Sequence, residues 1–478
     1  MQKLQNYVGG NWVEQATNAK DVNPSNVNDV IAEYAQADSS LTKEAIGAAS
    51  SAAEMWGNSN IQSRADILDN IGNRILANKD SLGKLLSREE GKTLPEGIGE
   101  VSRAGNVFKF FGGEVLRQAG EIIPSVRDGV DVEIIRQPVG VVGIIAPWNF
   151  PAAIPAWKIA PALAYGNTVV FKPANLVPAM ASELAKIIVD VGLPPGVFNF
   201  VMGKGTEVGD TIVNDPRVSA VSFTGSVETG RRIAQNVVSR MGKFQLEMGG
   251  KNPLVILDDA DLETAVNCAI NGAFFSTGQR CTASSRIIVT KGIYDKFVLE
   301  MKTKLASTVV DDALKAGTHI GPVVDKTQLD QNLRYIEEAK REGAELSFGG
   351  ELLEREHDGF YLEPALFTET NNTMKINQEE VFGPVATVQV AEGYEEALTL
   401  ANATNFGLSS GIVTNSLKYA SDYRKRAQAG MVMVNLPTAG VDYHVPFGGT
   451  KGSSYGAREQ GVYAKEFYTS VKTSYVAP

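Results

Sequence analysis

Between residues 141 and 224 the chain alternates short apolar segments with helical segments, and this alternation limits the possible folds more than any other feature. The apolar segments are VVGIIA (141–146), NTVVFK (167–172), VFNFVM (197–202) and VSAVSF (218–223), and the helical stretches between them include MASELAKIIVDVG (180–192) and TEVGDTIVND (206–215). Such alternation predicts parallel βαβ units, whose ligands bind at the carboxyl ends of the strands. We therefore expect an α/β protein with a nucleotide-binding sheet.

The rest of the chain extends this pattern. Residues 245–430 start the alternation again and predict a second α/β unit, whereas helical spacing in Glu44–Met55 and Ile61–Lys79 predicts that the first hundred residues are largely helical. Residues 121–142 are expected to form a long hairpin. The alternating tail 466–476 predicts an edge strand that pairs with the hairpin or with another subunit.

Length and composition exclude several classes. A chain of 478 residues is expected to hold two or three domains. The net charge of −10 and the absence of a basic block argue against a nucleic-acid partner. No apolar stretch is long enough to span a bilayer and no signal peptide is evident, so we expect no membrane partner and a cytoplasmic location. Two cysteines are too few for a disulfide framework or a thiolate zinc site, and no metal is expected.

Cys281 is a candidate nucleophile. It lies between a predicted helix and a predicted strand in STGQRCTASS, where a thiol can reach a substrate, and the adjacent Arg280 is expected to help lower its pKa. A small buried residue is an equally good interpretation for this position and the better one for Cys268. Three histidines occur, at 319, 357 and 444, but no motif pairs one with the thiol, so a papain-like hydrolase has no support.

Two further polar residues are candidates for chemistry. Glu247 precedes two glycines that leave space for a ligand, and it could supply a base, although a solvated charge at a strand end is the simpler interpretation. Asn149 lies between two prolines in APWNFP, which favours a rigid oxyanion donor or an ordinary Asx turn. The glycine-rich segments 203–209 and 225–230 are weak phosphate-loop signals, and G-x-S-x-G at 452–456 lacks the strand that a nucleophile elbow needs.

Six segments together resemble the aldehyde dehydrogenase superfamily. They are PWNFP (147–151), FTGS (223–226), LEMGGKNP (246–253), GQRCTASSR (278–286), EEVFGP (379–384) and PFGGTKGS (446–453), in the family's order and covering almost the whole chain. The resemblance implies a Rossmann-like NAD(P)-binding domain at 1–118 and 140–248 and an α/β catalytic domain at 249–460. It also implies an oligomerisation element at 119–139 and 461–478, and therefore a homodimer or homotetramer.

The resemblance also implies a mechanism. Cys281 attacks an aldehyde, Asn149 and the Cys281 backbone N–H hold the alkoxide, and Glu247 activates the water that hydrolyses the thioester. Family members that transfer the acyl group to coenzyme A lack this glutamate, so a free acid is expected. The implied cofactor-binding residues are Pro147, Trp148, Lys172, Asn175, Gly205, Gly209, Phe223, Gly225, Ser226, Met248, Gly249, Glu380 and Phe382. Because many strict NAD users carry glutamate where Asn175 stands, we expect NADP to be accepted alongside NAD, with Lys172 and Lys204 near the phosphate.

The expected substrate is a small aldehyde. The run STGQRCTASSR and residues 437–449 look like those of 2-oxoglutarate semialdehyde (2,5-dioxopentanoate) dehydrogenases more than of betaine-aldehyde members. The implied substrate residues are Phe150, Trp157, Arg280, Val441 and Phe447, with Arg280 or loop donors near Tyr443 and His444 binding the carboxylate. The alternatives are a succinic or glutarate semialdehyde dehydrogenase, a thioester-forming hydrolase without nicotinamide, and a catalytically idle, crystallin-like structural member. Succinic semialdehyde is less favoured because the arginine that those enzymes carry at the place of Trp157 is absent.

Overall fold

The computed structural model describes residues 2–477; the outer ends of the predicted divisions, residues 1 and 478, lie outside them. The first 115 residues form five short strands followed by four helices. They are β1 (Gln2–Leu4), β2 (Asn6–Val8), β3 (Asn11–Val13), β4 (Ala19–Val22), β5 (Val30–Tyr34), α1 (Ser39–Gly57), α2 (Ile61–Ala77), α3 (Lys79–Glu90) and α4 (Leu94–Val115). The prediction of a largely helical start is wrong for residues 2–34. These strands have only three to five residues, too few to show a period.

The predicted hairpin is confirmed. It consists of β6 (Glu121–Pro124) and β7 (Asp131–Pro138), which pair antiparallel. The predicted tail strand, β23 (Thr469–Val476), pairs with the other edge of β7 along its whole length. The three strands form a separate sheet in which β6 and β23 are both edge strands.

The predicted parallel sheet is also confirmed. The segments of this region are β8 (Val141–Ile145), α5 (Ala153–Ala164), β9 (Thr168–Lys172), α6 (Pro178–Val189), β10 (Phe198–Phe200), α7 (Asp210–Asn214), β11 (Val218–Thr224), α8 (Val227–Ser239) and β12 (Lys243–Glu247). Strands β12, β11, β8, β9 and β10 run parallel in that order, and β22 (Ser454–Tyr455) and the β2–β3 hairpin extend the sheet to eight strands.

The second α/β unit is a seven-stranded sheet with the order β15-β16-β17-β14-β13-β19-β20. The elements of this region are β13 (Pro253–Ile256), α9 (Leu262–Phe274), β14 (Arg286–Thr290), α10 (Tyr294–Ala306), α11 (Lys326–Arg341), β15 (Glu345–Phe348), β16 (Ala365–Thr368), α12 (Lys375–Gln378), β17 (Val385–Ala391), α13 (Tyr394–Asn402), β18 (Phe406–Gly407), β19 (Ser409–Val413), α14 (Leu417–Arg426), β20 (Met431–Val434), β21 (Thr450–Lys451) and α15 (Lys465–Tyr468). Its central pairs are parallel, as predicted.

Helix α4 begins with a capping box. The side chain of Glu96 accepts from the backbone N–H of Thr93, the residue before the helix, at 3.1 Å. Residues at positions 96, 100 and 103 recur at helical spacing and therefore lie on one face. These positions hold Glu96, Glu100 and Arg103, so one helix carries three charged side chains toward the same region.

Hydrophobic clusters fill the space on both faces of each sheet. The two largest lie around α5 with the parallel sheet and around α9 with the second sheet, and every residue of α5 is buried. Such packing fixes the strand ends that carry polar residues. No helix within residues 2–477 is both long and apolar enough to cross a bilayer.

Candidate active site

Two cavities meet at Cys281. One, about 240 Å³, lies at the carboxyl edge of the parallel sheet and is called the sheet-edge cavity; its lining includes Pro147, Trp148, Asn149, Thr224, Gly225, Ser226, Met248, Gly249, Cys281, Gln328, Gln331, Glu380 and Phe382. The other, about 410 Å³, is called the aromatic cavity and includes Glu96, Glu100, Arg103, Phe150, Trp157, Arg280, Cys281, Val441 and Phe447 in its lining. A thiol shared by both cavities can react with a molecule in one while facing a molecule in the other.

The loop that carries Cys281 is tightly constrained. Ser276, Thr277 and Gly278 have φ angles of 51°, 58° and 64°, three successive left-handed residues that turn the chain between α9 and β14. The carbonyl of Cys281 accepts from the Asn252 side chain at 2.8 Å. A Cβ atom at Gly250 would stand 2.7 Å from that carbonyl, so only glycine lets the two segments approach so closely.

The surroundings of Cys281 hold its thiol in the protonated form. Burial raises the pKa of the thiol, and the carboxylates of Glu380 and Glu247 raise it further, while the residue's own backbone N–H acts in the opposite sense. The expected help from Arg280 is not present, because its guanidinium forms an ion pair with Glu96 at 2.9 Å. A base or a bound cation is therefore needed to produce the thiolate.

Glu247 is a buried carboxyl group at the end of β12. Burial raises the pKa of Glu247 well above its usual value, and the neighbouring carboxylate of Glu459 adds to the shift. The hydroxyl of Ser454 donates to its Oε2 at 2.5 Å and favours the ionised form. The solvated strand-end interpretation is therefore wrong, and a carboxyl with a raised pKa suits general-base work near neutral pH.

Glu459 belongs to a buried polar group behind Glu247. Its carboxylate forms an ion pair with Lys158, and the Lys158 ammonium also donates to Ser222 at 2.9 Å. The other oxygen of Glu459 has no hydrogen-bond partner within the described residues. The charge of the Glu459 carboxylate therefore opposes ionisation of Glu247.

Asn149 is fixed on both sides. Its Nδ2 donates to the carbonyl of Gln279 at 3.0 Å, two residues before Cys281, and its own carbonyl accepts from the Lys92 ammonium at 2.6 Å. An amide nitrogen carries two N–H groups, so the second one is left for a ligand in the cavity that Asn149 and Cys281 both line. The arrangement can hold an oxyanion formed at a carbon bonded to Cys281.

The sheet-edge cavity suits the phosphate and ribose groups of a dinucleotide. Gly225 and Ser226 line it at the N-terminus of the 13-residue helix α8, which favours an anion. The Thr224 hydroxyl is buried and has no hydrogen-bond partner in the part of the chain that the structure describes, and the Glu380 carboxylate accepts from the Gly250 N–H at 2.9 Å. These groups supply donors for a phosphate and an acceptor for sugar hydroxyls, so the residues fit a nicotinamide dinucleotide.

Lys172, the last residue of β9, and Asn175, which follows the strand, lie farther along the same edge of the sheet. Lys172 is buried and its ammonium donates to the Pro173 carbonyl at 2.9 Å; burial lowers the pKa of Lys172 to about 8. Gly209 approaches the Lys172 stem at the end of the turn 205–209, in which Gly205 is exposed. The Oδ1 of Asn175 is buried and has no partner among the described residues.

Phe223 does not belong to either cavity lining. It is buried on β11 beneath the glycine at 225, where an added Cβ would stand 2.5 Å from the Phe223 ring. The ring therefore supports the backbone of the turn. The sequence pattern places it one residue from the lining but gives no indication that it points into the core.

Aromatic rings form one side of the aromatic cavity. Trp157 and Phe447 stack with ring centroids 5.2 Å apart, and Phe150 and Val441 lie in the same lining. The predicted loop donors lie elsewhere, because the Tyr443 ring packs on His444 and Phe110. The described lining of neither cavity contains a histidine, so a Cys/His hydrolase gains no support.

Comparison with known proteins decides the family. The aldehyde dehydrogenase family profile matches residues 12–474. The chain belongs to the aldehyde dehydrogenase family. This finding confirms the resemblance carried by the six motifs and the α/β fold predicted from it.

Relatives of this aldehyde dehydrogenase are similar over nearly their full length. An α-ketoglutaric semialdehyde dehydrogenase of Bacillus subtilis is 42% identical over 99% of this chain and 98% of its own. A 2,5-dioxopentanoate dehydrogenase of Saccharolobus solfataricus is 41% identical over 95% of each chain. The structure of betaine aldehyde dehydrogenase from Staphylococcus aureus in complex with NAD⁺ has a TM-score of 0.97 at 35% identity, covering 99% of this chain and 95% of that one.

Several side chains near the catalytic residues of this aldehyde dehydrogenase could not be predicted from the sequence. Ser454 is the serine of the G-x-S-x-G segment, which forms no nucleophile elbow. Its hydroxyl donates a hydrogen bond to Glu247. Lys158 and Glu459 are 301 positions apart, so no local pattern joins them. The spacing of Arg103 and Glu96 in the sequence shows that they lie on one face of a helix. It does not show with which residue each of them forms an ion pair.

Proposed function

We propose that this aldehyde dehydrogenase oxidises 2-oxoglutarate semialdehyde to 2-oxoglutarate with NAD or NADP. The observation that carries the proposal is the position of Cys281 at the junction of the two cavities, with Asn149 in the lining of the sheet-edge cavity and the Glu247 carboxyl close enough to raise the pKa of the thiol. The names of the relatives at 41–42% identity support the substrate. The assigned catalytic residues are Cys281, Glu247 and Asn149.

Cys281 forms the covalent bond to the substrate. Its thiolate attacks the aldehyde carbon, and the remaining Asn149 N–H and the Cys281 backbone N–H hold the alkoxide that results. When bound, the nicotinamide accepts the hydride that leaves this carbon, and a thioester remains on the sulfur. Glu247 then takes a proton from a water molecule as its oxygen attacks the thioester, which releases the acid and restores the thiolate.

The sheet-edge cavity and the adjoining strand ends bind the cofactor. Ser226 and the first turn of α8 hold the pyrophosphate, Glu380 accepts from the nicotinamide ribose, and Trp148 and Phe382, whose rings lie 5.4 Å apart, pack against that half. Lys172 and Asn175 bind the adenosine ribose. Phe223 is assigned only a supporting role beneath Gly225.

Acceptance of NADP follows from the charges around Lys172. Burial lowers the pKa of Lys172, and no carboxylate among the described residues contributes to this shift, which supports acceptance of a 2′-phosphate beside the ammonium. A phosphate beside the ammonium would hold the proton on it. NADP binding is therefore expected to be strongest below pH 8 and to weaken as the pH rises above the Lys172 pKa.

The separate three-stranded sheet is proposed to join subunits into a homodimer or homotetramer. Its described strands expose apolar side chains, among them Ile122, which is 80% exposed, and Ile135 on the same face of the sheet. Both of its edges are unpaired among residues 2–477. Apolar faces and open edges of this kind are commonly covered by a second subunit.

A substrate series tests the proposed function. Purified enzyme is assayed at 340 nm with 2-oxoglutarate semialdehyde, succinic semialdehyde and an uncharged aldehyde of similar length, each with NAD and with NADP. The value of kcat/KM is expected to be highest for 2-oxoglutarate semialdehyde, lower for succinic semialdehyde and lowest for the uncharged aldehyde. A preference for an uncharged or cationic aldehyde contradicts the proposed substrate, and absence of reduced cofactor with every aldehyde contradicts the reaction.

A further inference from the structure

Three cations line the aromatic cavity, and only two of them have carboxylate partners. The Lys92 ammonium lies 2.7 Å from a Glu100 oxygen, and the Arg280 guanidinium lies 2.9 Å from a Glu96 oxygen. Arg103 has no ion pair among the described residues. Glu90 also lies 3.8 Å from the Lys92 ammonium, but burial raises the pKa of Glu90 to about 8, so this carboxyl stays protonated at neutral pH. With Lys92, Arg103, Arg280, Glu96 and Glu100 ionised, one positive charge is uncompensated, and it is on Arg103.

Arg103 also has unused hydrogen-bonding capacity. Its Nη2 donates to the side-chain oxygen of Gln460 at 3.0 Å, a neutral acceptor, and its buried Nε finds no acceptor in the described chain. A guanidinium has five N–H groups in a planar fork that matches a carboxylate. Among the described residues, only one of these five N–H groups has an acceptor.

Two more buried donors beside Arg103 lack acceptors. The Arg103 guanidinium carbon lies 5.5 Å from the centre of the Trp157 ring, and the indole Nε1 has no partner within the described residues. The amide nitrogen of Gln460, which orients Arg103, is likewise buried and unpartnered. Orphaned buried donors are rare in folded proteins, and three neighbouring ones indicate a site for an acceptor-rich group.

Nearby acids do not neutralise Arg103. Both oxygens of Glu100 are occupied, one by the backbone N–H groups of Ala152 and Ala153 and the other by Lys92. Asp442 is exposed and forms no ion pair with Arg103. Burial lowers the pKa of Arg103 to about 10, against the attraction of Glu100 and Asp442, so the guanidinium stays charged at neutral pH.

We propose that Arg103 is the specificity-determining residue that binds the distal carboxylate of the substrate in the aromatic cavity. Arg103 and Cys281 line the same cavity, so an aldehyde group at the thiol and a carboxylate at the guanidinium can be held at once. The proposal rests on the proposed function, and it replaces Arg280, whose guanidinium is held by Glu96. The recognised class is a short aldehyde with an anionic carboxylate at the far end.

The Arg103→Met variant tests the assignment. Methionine keeps the unbranched apolar stem and removes the charge, so kcat/KM for 2-oxoglutarate semialdehyde is expected to fall about 10- to 100-fold, mainly through KM, as for a lost charge-assisted contact. An uncharged aldehyde of similar length should change by less than about threefold. Arg103→Lys should fall between wild type and Arg103→Met, because lysine keeps the charge but loses the fork.

Lys109→Met is the matched control. Lys109 lies on the same helix and loses the same charge, but it pairs with Asp69 at the surface and lines neither cavity. It should leave the ratio of kcat/KM for the two aldehydes unchanged. Equal losses of kcat/KM for both aldehydes in Arg103→Met would show a structural role, and unchanged kcat/KM values for both aldehydes would show that another group binds the carboxylate; either result overturns the proposal.

The wild-type ratio separates this inference from the proposed function. If the wild type prefers the carboxylated aldehyde and Arg103→Met keeps that preference, the Arg103 assignment fails and the proposed function stands. If the wild type shows no preference for the carboxylated aldehyde, the proposed substrate fails, and the Arg103 assignment fails with it.

Discussion

Replacing Ser454 by alanine should impair thioester hydrolysis without preventing thioester formation. The Ser454 hydroxyl is the side-chain donor to the buried Glu247 carboxylate, at 2.5 Å, and it opposes the rise in the pKa of Glu247 caused by burial and by Glu459. A hydrogen bond to a charged group contributes about 1.5–3 kcal/mol. Since 1.36 kcal/mol corresponds to one pKa unit, its loss should raise the Glu247 pKa by about 1–2 units.

The sign of the pH effect follows from the role of Glu247 as a base. Only the ionised carboxylate can take a proton from water, so raising its pKa moves the acid limb of kcat to higher pH by the same 1–2 units. Below both pKa values the steady-state rate should fall about 10- to 100-fold. Stopped-flow absorbance at 340 nm should still show a first burst of reduced cofactor with an amplitude near one per active site.

The Ser453→Ala variant is the control. The Ser453 hydroxyl accepts from the Gly407 N–H at 3.0 Å and does not touch Glu247, so its loss should leave the pH profile in place. If Ser454→Ala leaves the acid limb of kcat unmoved, or removes the burst together with the steady-state rate, the reasoning about Glu247 is refuted.

Three further predictions concern the nucleophile, the cofactor and the subunit contact. Cys281→Ala should abolish aldehyde oxidation, measured by absorbance at 340 nm, and leave the melting temperature unchanged. Cys268→Ala, within α9, should keep activity and lose about 1 kcal/mol of unfolding free energy, measured in urea. Residual turnover by Cys281→Ala would contradict a thioester intermediate on this residue. Asn175→Glu should raise the KM for NADP at least about tenfold more than that for NAD, and equal changes in both KM values would show that this residue does not face the 2′ position. Ile122→Lys should shift the protein to a smaller species in size-exclusion chromatography with light scattering, while Glu121→Lys, on the opposite face of β6, should not; an unchanged mass of Ile122→Lys would place the subunit contact elsewhere.

Helices and strands with a clear hydrophobic period could be predicted from the sequence, whereas strands of only a few residues could not. The strands at 141–145 and 168–172 and the helix at 262–274 follow from apolar runs of sufficient length, and the hairpin follows from alternation around a turn. The strands within residues 2–34 are too short for such a signal, and their positions depend on the β1–β5 and β2–β10 pairings with strands distant in sequence.

The residue types of the site were predictable, but several partners were not. Cys281, Glu247 and Asn149 lie in loops or at strand ends whose composition marks them as candidates, and the structure brings them together. Arg280 is an example. Its position next to Cys281 in the sequence predicts that it lowers the pKa of the thiol, but in the structure its guanidinium forms an ion pair with Glu96. Which of several cations stays unpaired is decided by packing between distant segments, and no local pattern records it.

The most direct test of the thioester account is the mass of the Glu247→Gln variant after a single turnover. The variant is mixed with 2-oxoglutarate semialdehyde and oxidised cofactor, quenched in acid, digested and measured by mass spectrometry. Because glutamine cannot accept the proton from water, the thioester should not be hydrolysed, and the acyl group should accumulate on the peptide containing Cys281 and on no other. An unmodified Cys281 peptide after a full burst of reduced cofactor, or an acyl group carried by another residue, would contradict it.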